Sequence, residues 1–559
     1  SSVHLLNAMS LSLDLPDKDY VWMQFSGAWS RERHVKERRL EQGIQSVGSI
    51  RGNSSHEHNP FIVLRRPSAT ENAGEVMGFS LIYSGNHRMQ AEVDTHDTTR
   101  ITVGINPQNF DWKLDCGESF QTPEAVVVFS DQGLNGMSQA YHRLYRDRLM
   151  RGKWRNHARP ILLNNWEATY FDFDEEKILN IAKKAKEVGV ELFVLDDGWF
   201  GTRNDDYQGL GDWFVNEKKL CGTLSELVKE VHDMGLSFGL WFEPEMISED
   251  SDLYRAHPDW ALVIPGRQPI RSRSQLVLDM SREDVTDYLT ERICDIVEKA
   301  DIQYIKWDMN RSLMAAYSAK LPRDRQGELR HRYVLGLYKV LEAVTQRFPE
   351  LLLEGCSGGG GRFDAGMLYY CPQIWCSDNT DAIERLRIQY GTSFGYPMSS
   401  VSAHVSVCPN HQNHRVTPFK TRGICAMQGT FGYELNLGKL SEEEKEEIRS
   451  QVEEYRKFAP LIQTGLYYRL SDPSKEEYAA WAFVSEDQKE VLLNVVMQEI
   501  HGNMTVNYVN LQGLKCSAVY RDTETGKTYN GAALMEAGIP MPVEMGEFKA
   551  YQMHLVGEE

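Results

Sequence analysis

Short runs of alternating apolar and polar residues dominate the first 130 positions. "DYVWMQFSGAW", "PFIVLRR", "GFSLIYSG", "RITVGI" and "EAVVVFS" are separated by turn residues. A period of two puts successive side chains on opposite faces of a strand, so these runs predict an antiparallel β-sandwich over residues 1–132. In "GLNGMSQAYHRLYRDRLMRGKW" the apolar spacing becomes helical, which predicts a helical linker over 133–158.

From residue 159 strand-like and helix-like segments alternate. "RPILLNNW" reads as a strand. "DEEKILNIAKKAKEVGV" follows as an amphipathic helix with Gly189 as its C-terminal stop. "VELFVLDDGWF", "LSFGLWFEPEM", "DIQYIKWDMN", "ELLLEGCSGGGG" and "CPQIWCSDNTD" are further strands, with helical segments such as "REDVTDYLTERICDIVEKA" between them. Such alternation up to residue 465 predicts a parallel (β/α)8 barrel. The strand pattern weakens past residue 390, and "RSQLVLDM" fits either a barrel strand or an insertion. Alternating runs return from 466 to 559 ("GLYYRLS", "EYAAWAFVS", "KEVLLNVVM", "FKAYQMHL") and predict a C-terminal antiparallel β-sandwich. The fold class is therefore α/β, a (β/α)8 barrel flanked by two β-domains.

The length, 559 residues, exceeds what one hydrophobic core serves and agrees with this division. A net charge of −19 argues against nucleic acid and anionic membrane surfaces as partners and leaves a neutral substrate open. No run approaches the roughly 18 apolar residues of a membrane span. Nine cysteines without regular spacing suggest reduced thiols and a cytoplasmic location; a zinc site at Cys371 and Cys376 is a weaker reading. The chain starts without Met inside the alternating run "VHLLNAMSLSLDL", as a piece of a longer product would.

The candidate chemistry lies where predicted strands end. Asp196 and Asp197 follow "ELFVL", Glu243 and Glu245 follow "GLWF", Asp308 follows "YIKW", Glu354 and Cys356 follow "LLL", and Asp378 follows "IWCS". In a β/α barrel these ends surround one mouth. An acid at the end of a buried run costs free energy unless something requires it. In "IKWDMN", Lys306 and Asp308 project to one side and Trp307 to the other, and the lysine favours an ionised Asp308. That carboxylate could be a nucleophile, a metal ligand, a hydrogen-bond acceptor or half of a structural ion pair. Asp378 is a second candidate acid, with Asp381 expected to raise its pKa; a helix N-cap is its alternative role. Two carboxyls in unlike environments are what glycoside hydrolysis requires. Asp196, Asp197, Glu243, Asp308 and Asp378 could alternatively bind Mg or Mn, but the chain has no HExxH motif. His411 and His414 lie in a polar loop, and "CSGGGGRFD" lacks the Lys-Ser/Thr that ends a phosphate-binding loop.

Together, "LDDGWFG", "GLWFEPEM", "IKWDMNR", "EGCSGGGGRFDAGMLYY" and "CSDNTDAIERLRIQYGTSFGYP" resemble glycoside hydrolase family 36, whose members are mostly α-galactosidases. The resemblance runs from about Trp166 to Arg422. It implies a retaining double displacement on terminal α-linked galactose in oligosaccharides such as melibiose and raffinose. Asp308 would be the nucleophile and Asp378 the acid/base, with carboxyls about 5–5.5 Å apart. Asp196 and Asp197 look like the pair that holds galactose hydroxyls. Trp166, Trp241, Arg273, Lys306 and Asn310 resemble further sugar-binding positions, and Cys356 and Gly358 the loop near C2.

The resemblance implies no metal and no organic cofactor. It also implies a homo-oligomer, a tetramer in family members, which carry a longer N-terminal β-domain than the stretch of about 150 residues seen here. The alternatives are an α-N-acetylgalactosaminidase, a galactosyl-transferring relative and, outside enzymes, an inactive sugar-binding protein.

Overall fold

A computed structural model describes residues 2–558. Two larger antiparallel sheets form the N-terminal domain, beside the short antiparallel pair Val3–Leu5 and Trp112–Leu114. One has five strands, in spatial order Glu124–Ser130, Val76–Ile82, His58–Arg65, Val21–Ala28 and Arg31–Arg39. The other has four, in the order Met9–Leu15, Thr99–Ile105, His87–Val93 and Gly43–Gly48. The inner strands of the five-stranded sheet read as nearly continuous apolar runs because both faces are covered. Trp22, Ile62, Leu64, Phe79 and Leu81 pack against Met89, Ala91, Ile101 and Val103 of the second sheet. Their neighbours Met23, Phe25, Phe61 and Val63 turn the other way and join the main core shared with the barrel. The sheet is thus glued to the catalytic domain, and its loops can reach the barrel mouth.

The expected linker begins as a helix, Gly133–Leu144, and is extended by a wider π-type turn, Tyr145–Leu149. The barrel then closes with eight parallel strands: Leu162–Asn164, Leu192–Leu195, Ser237–Phe242, Tyr304–Trp307, Leu352–Gly355, Gln373–Trp375, Val401–Ser406 and Thr430–Glu434. Closure is the parallel pairing of Leu162 with Gly432. Leu162, Leu192, Val194, Tyr304 and Leu352 fill the inside. Alternate residues Leu163, Phe193, Leu195, Ile305 and Leu353 face the helices. The same period carries Asp196, Lys306 and Asp308 to the inner side. Asp174 caps the helix Glu175–Glu187, and Gly189, at φ +93°, takes the left-handed conformation that ends it.

The segment "RSQLVLDM" is an insertion: Leu276–Val277 pairs antiparallel with Met246–Ile247 outside the barrel. The last two barrel strands, Val401–Ser406 and Thr430–Glu434, lie where the sequence pattern is weakest. After the long helix Glu442–Thr464, the C-terminal domain forms a six-stranded antiparallel sheet, with the pair Tyr508–Val509 and Ile539–Pro540 packed into its core. Among the described residues no helix is long and apolar enough to cross a membrane.

Candidate active site

A cavity of about 700 Å³ opens at the C-terminal ends of the barrel strands. It collects Trp166, Asp196, Asp197, Trp241, Arg273, Lys306, Asp308, Asn310, Gly358 and Asp378 from seven separate stretches of chain. Of the residues expected to act on or bind the sugar, Cys356 stands back from the cavity wall; it is buried beneath it, with its thiol directed at Asp308.

Asp308 follows the fourth strand and is 6% exposed. Its Oδ1 accepts the backbone N–H groups of Met309 (2.7 Å) and Gly358 (3.1 Å). Its Oδ2 accepts from Asn310 Nδ2 (2.8 Å) and the Trp241 indole (3.2 Å). Burial by itself raises a carboxyl pKa; here the Lys306 ammonium, the Gly358 N–H, the Cys356 thiol and Asn310 outweigh it and hold Asp308 below its ordinary value. Gly358 can present its N–H because it sits at φ +52°, where a side chain would be strained.

Asp378 follows the sixth strand. Burial first, and then the Asp308 charge, push its pKa up. Asp381, expected to supply that repulsion, instead turns away: its carboxylate caps the helix Ala382–Thr392 and pairs with Arg415 at 3.0 Å. The capping role considered for Asp378 therefore belongs to Asp381. The Asp378 carboxyl receives two indole N–H groups, Trp29 Nε1 on Oδ2 (2.8 Å) and Trp375 Nε1 on Oδ1 (3.2 Å).

Lys306 Nζ lies 2.9 Å from Asp196 Oδ2, which also accepts from Asn164 Nδ2 at 2.6 Å. Asp197 is gripped by Arg203, with contacts of 3.1 Å from Nε and 2.9 Å from a terminal nitrogen. These two acids therefore present fixed acceptors to the cavity. The other strand-end acids do not line it. Glu243 is buried behind Asn310, whose backbone N–H it accepts at 2.5 Å; burial and the Asp308 charge raise it to about 7. Glu245 pairs with Arg362 at 2.8 Å, and Glu354 accepts from Gln373 at 2.7 Å.

Sequence reasoning missed several lining residues and placed His411 only in a polar loop. Trp29, Asn53 and His56 come from the N-terminal domain; His56 Nε2 is 2.6 Å from the Gly358 carbonyl. Glu167, His411 and Glu434 form a patch beside Trp166. Burial and the Glu434 charge push Glu167 well up. Burial would raise Glu434 too, but His404 and Lys306 hold it down. Glu434 ends the eighth strand, so a sharper reading of "TFGYE" would have found it. Among the described residues no group of three or more His, Cys, Asp and Glu side chains is arranged to hold a metal ion.

A parallel barrel whose mouth holds two carboxyls tuned in opposite directions has the layout of a retaining glycoside hydrolase. Comparison with known families agrees. Melibiase matches residues 119–465, the glycosyl hydrolase family 36 N-terminal domain residues 1–115, and the family 36 C-terminal domain residues 478–555. The chain belongs to glycoside hydrolase family 36. It is 54% identical to alpha-galactosidase AgaA of Geobacillus stearothermophilus, over 97% of this chain and 74% of the relative. It is 51% identical to the bifunctional alpha-galactosidase/sucrose kinase AgaSK of Mediterraneibacter gnavus, over 98% of this chain and 57% of the relative. The crystal structure of a substituted AgaA in complex with raffinose superposes with a TM-score of 0.99 at 53% identity, covering 100% of this chain and 77% of that one. The alpha-galactosidase of Lactobacillus brevis gives 0.99 at 44% identity, covering 100% and 76%.

Proposed function

We propose that Asp308 and Asp378 are the nucleophile and the acid/base of a retaining exo-α-galactosidase acting on oligosaccharides of the melibiose and raffinose type. The chain is an alpha-galactosidase of family 36; the residue roles are our reading. The observation that carries them is the opposite tuning of two carboxyls facing one cavity, Asp308 held down and Asp378 pushed up. Between the two pKa values Asp308 is ionised and Asp378 protonated, the state the first step needs.

In that step Asp308 bonds to C1 as the C1–O glycosidic bond breaks, and the Asp378 proton goes to the leaving oxygen. In the second step a water attacks C1, its proton passes to Asp378, and the Asp308 ester bond breaks. Asp196, Asp197 and Lys306 would hold the galactose hydroxyls, with Trp166, Trp241, Arg273 and Asn310 as further contacts. Gly358, backed by Cys356, would approach the sugar near C2, the position at which an α-N-acetylgalactosaminide differs from an α-galactoside. We read the protein as a homo-oligomer, by family resemblance a tetramer, which light scattering would test. Nine free cysteines support a reducing, cytoplasmic setting.

Initial rates on p-nitrophenyl α-galactoside, α-N-acetylgalactosaminide and α-glucoside test the reading, for wild type and Asp308→Ala. Turnover of the galactoside alone, lost in the variant and partly restored by azide as the β-galactosyl azide, is the expected result. A folded Asp308→Ala protein with undiminished activity would refute the assignment.

A further inference from the structure

The acid/base candidate is held from outside the barrel. Trp29 and Ser30 form the two-residue turn between Val21–Ala28 and Arg31–Arg39 of the N-terminal domain, with Ser30 at φ +64°. The turn and the buried Glu32 and Arg33 beyond it are bonded to the segment that carries Asp378 and to its neighbours. The Ser30 carbonyl accepts from Asn379 Nδ2 at 3.0 Å. The Glu32 carboxylate, 0% exposed, accepts from Ser377 Oγ at 2.5 Å. Arg33 donates to the carbonyls of Cys376 (2.6 Å) and Gly360 (3.0 Å) and to Thr392 Oγ1 (2.8 Å). Trp29 is itself 56% exposed, so packing does not hold its indole; the bonded turn and Asp378 do.

An indole N–H only donates. A carboxyl oxygen that accepts from one keeps that lone pair occupied, and two such bonds, one per oxygen, resist rotation about Cβ–Cγ. Trp375 is fixed on its side by packing, 3% exposed, with the Arg385 guanidinium 4.6 Å from its ring. Trp29 supplies the other bond.

We propose that Trp29 is a positioning residue for the acid/base: its indole, opposite that of Trp375, fixes which lone pair of Asp378 meets the glycosidic oxygen and favours the ionised form needed after proton transfer. Glu32, on the same turn, acts in the opposite sense, since its buried charge disfavours ionised Asp378. The other charged groups facing Asp378 are Asp308, which raises its pKa, and Lys306, which lowers it, with Arg273 and the Cys356 thiol also within electrostatic reach. The N-terminal domain would therefore set the proton inventory of a site on the barrel.

The inference rests on Asp378 being the acid/base, and the test separates the two. Trp29→Phe is compared with wild type on raffinose, whose leaving group needs a proton, and on 2,4-dinitrophenyl α-galactoside, whose leaving group does not. The expected result is a fall of about tenfold in kcat/KM on raffinose and less than about twofold on the activated substrate. The alkaline limb of the raffinose profile should move up by about one pH unit, and in Glu32→Gln it should move down. A raffinose KM increase with unmoved limbs would make Trp29 a stacking platform for the leaving sugar and overturn the proposal. Equal losses on both substrates with a lower Tm would do the same by making the turn merely structural. If Asp378→Ala loses both substrates equally and azide yields no α-galactosyl azide, the acid/base assignment fails instead.

Discussion

Replacing Lys306 by methionine removes a buried ammonium that serves two carboxylates. It is 8% exposed and lies 2.9 Å from Asp196 Oδ2, and its charge is the largest influence holding Asp308 down. Strand neighbours two apart put the Lys306 and Asp308 charges about 6 Å from each other. At an effective dielectric constant of about 20 their attraction is about 2–3 kcal/mol, or about two pK units. Water in the open cavity reduces this, so the Asp308 pKa should rise by about one unit in Lys306→Met. The acidic limb of kcat/KM, which reports the free enzyme's ionised nucleophile, should move up by that amount. Stability should also fall, by about 3–5 kcal/mol, because Asp196 is left charged and buried with Asn164 as its remaining side-chain donor. Adding Asp196→Asn should recover most of that stability without returning the acidic limb. Chemical denaturation of the four proteins of the cycle, with pH–rate profiles for the active ones, makes the measurement. An acidic limb that stays in place while stability falls would refute the electrostatic argument, leaving Lys306 as a partner of Asp196 alone.

Arg203→Met should destabilise by about 3–5 kcal/mol, read in denaturant melts, because Arg203 is 1% exposed and grips the buried Asp197. Glu243→Gln bears on pH dependence. A carboxyl raised from 4.5 to about 7 takes up a proton on folding, so wild type loses stability as pH rises from about 4.5 to 7. Relative to the variant that loss should be on the order of 3 kcal/mol between pH 4.5 and 7; parallel curves would refute it. Of two neighbouring loop substitutions, Gly359→Ala should harm turnover and Tm far more than Gly358→Ala. A methyl on Gly359 would sit 2.5 Å from the Asp378 backbone nitrogen, whereas on Gly358 it finds nothing closer than 3.6 Å and costs only the strain of a positive φ, about 1–2 kcal/mol.

The early barrel strands were legible because they are buried on both faces. "LFVL" and "FGLWF" are short continuous apolar runs, followed by helices with clear 3.6-residue spacing. The seventh and eighth strands were not, for a physical reason. In "VSAHVS" the inward positions carry Ser402, His404 and Ser406, and in "TFGYE" they carry Thr430, Gly432 and Glu434. These strands line the polar side of the barrel, where His404 must meet Glu434 at 3.1 Å, so their sequence cannot be uniformly apolar. The hydrophobic pattern fades there because the interior is polar there.

The candidate site divides along a similar line. Acids at strand ends advertise themselves, since nothing in barrel packing favours a carboxyl at Asp196, Asp308 or Asp378. Yet periodicity alone could not separate those that face the cavity from Glu245 and Glu354, which have the same local pattern and spend it on Arg362 and Gln373. The difference is set by which neighbour fills each direction in space. Trp29 is the extreme case. In the sequence it is one more aromatic in an alternating β-run, 349 positions from Asp378. Its place at the acid/base exists only because Glu32 and Arg33, charged residues in a buried stretch of strand, find Ser377, Cys376 and Gly360 across the domain boundary. A buried charge without a visible local partner was the signal available, and its meaning lay in a different domain.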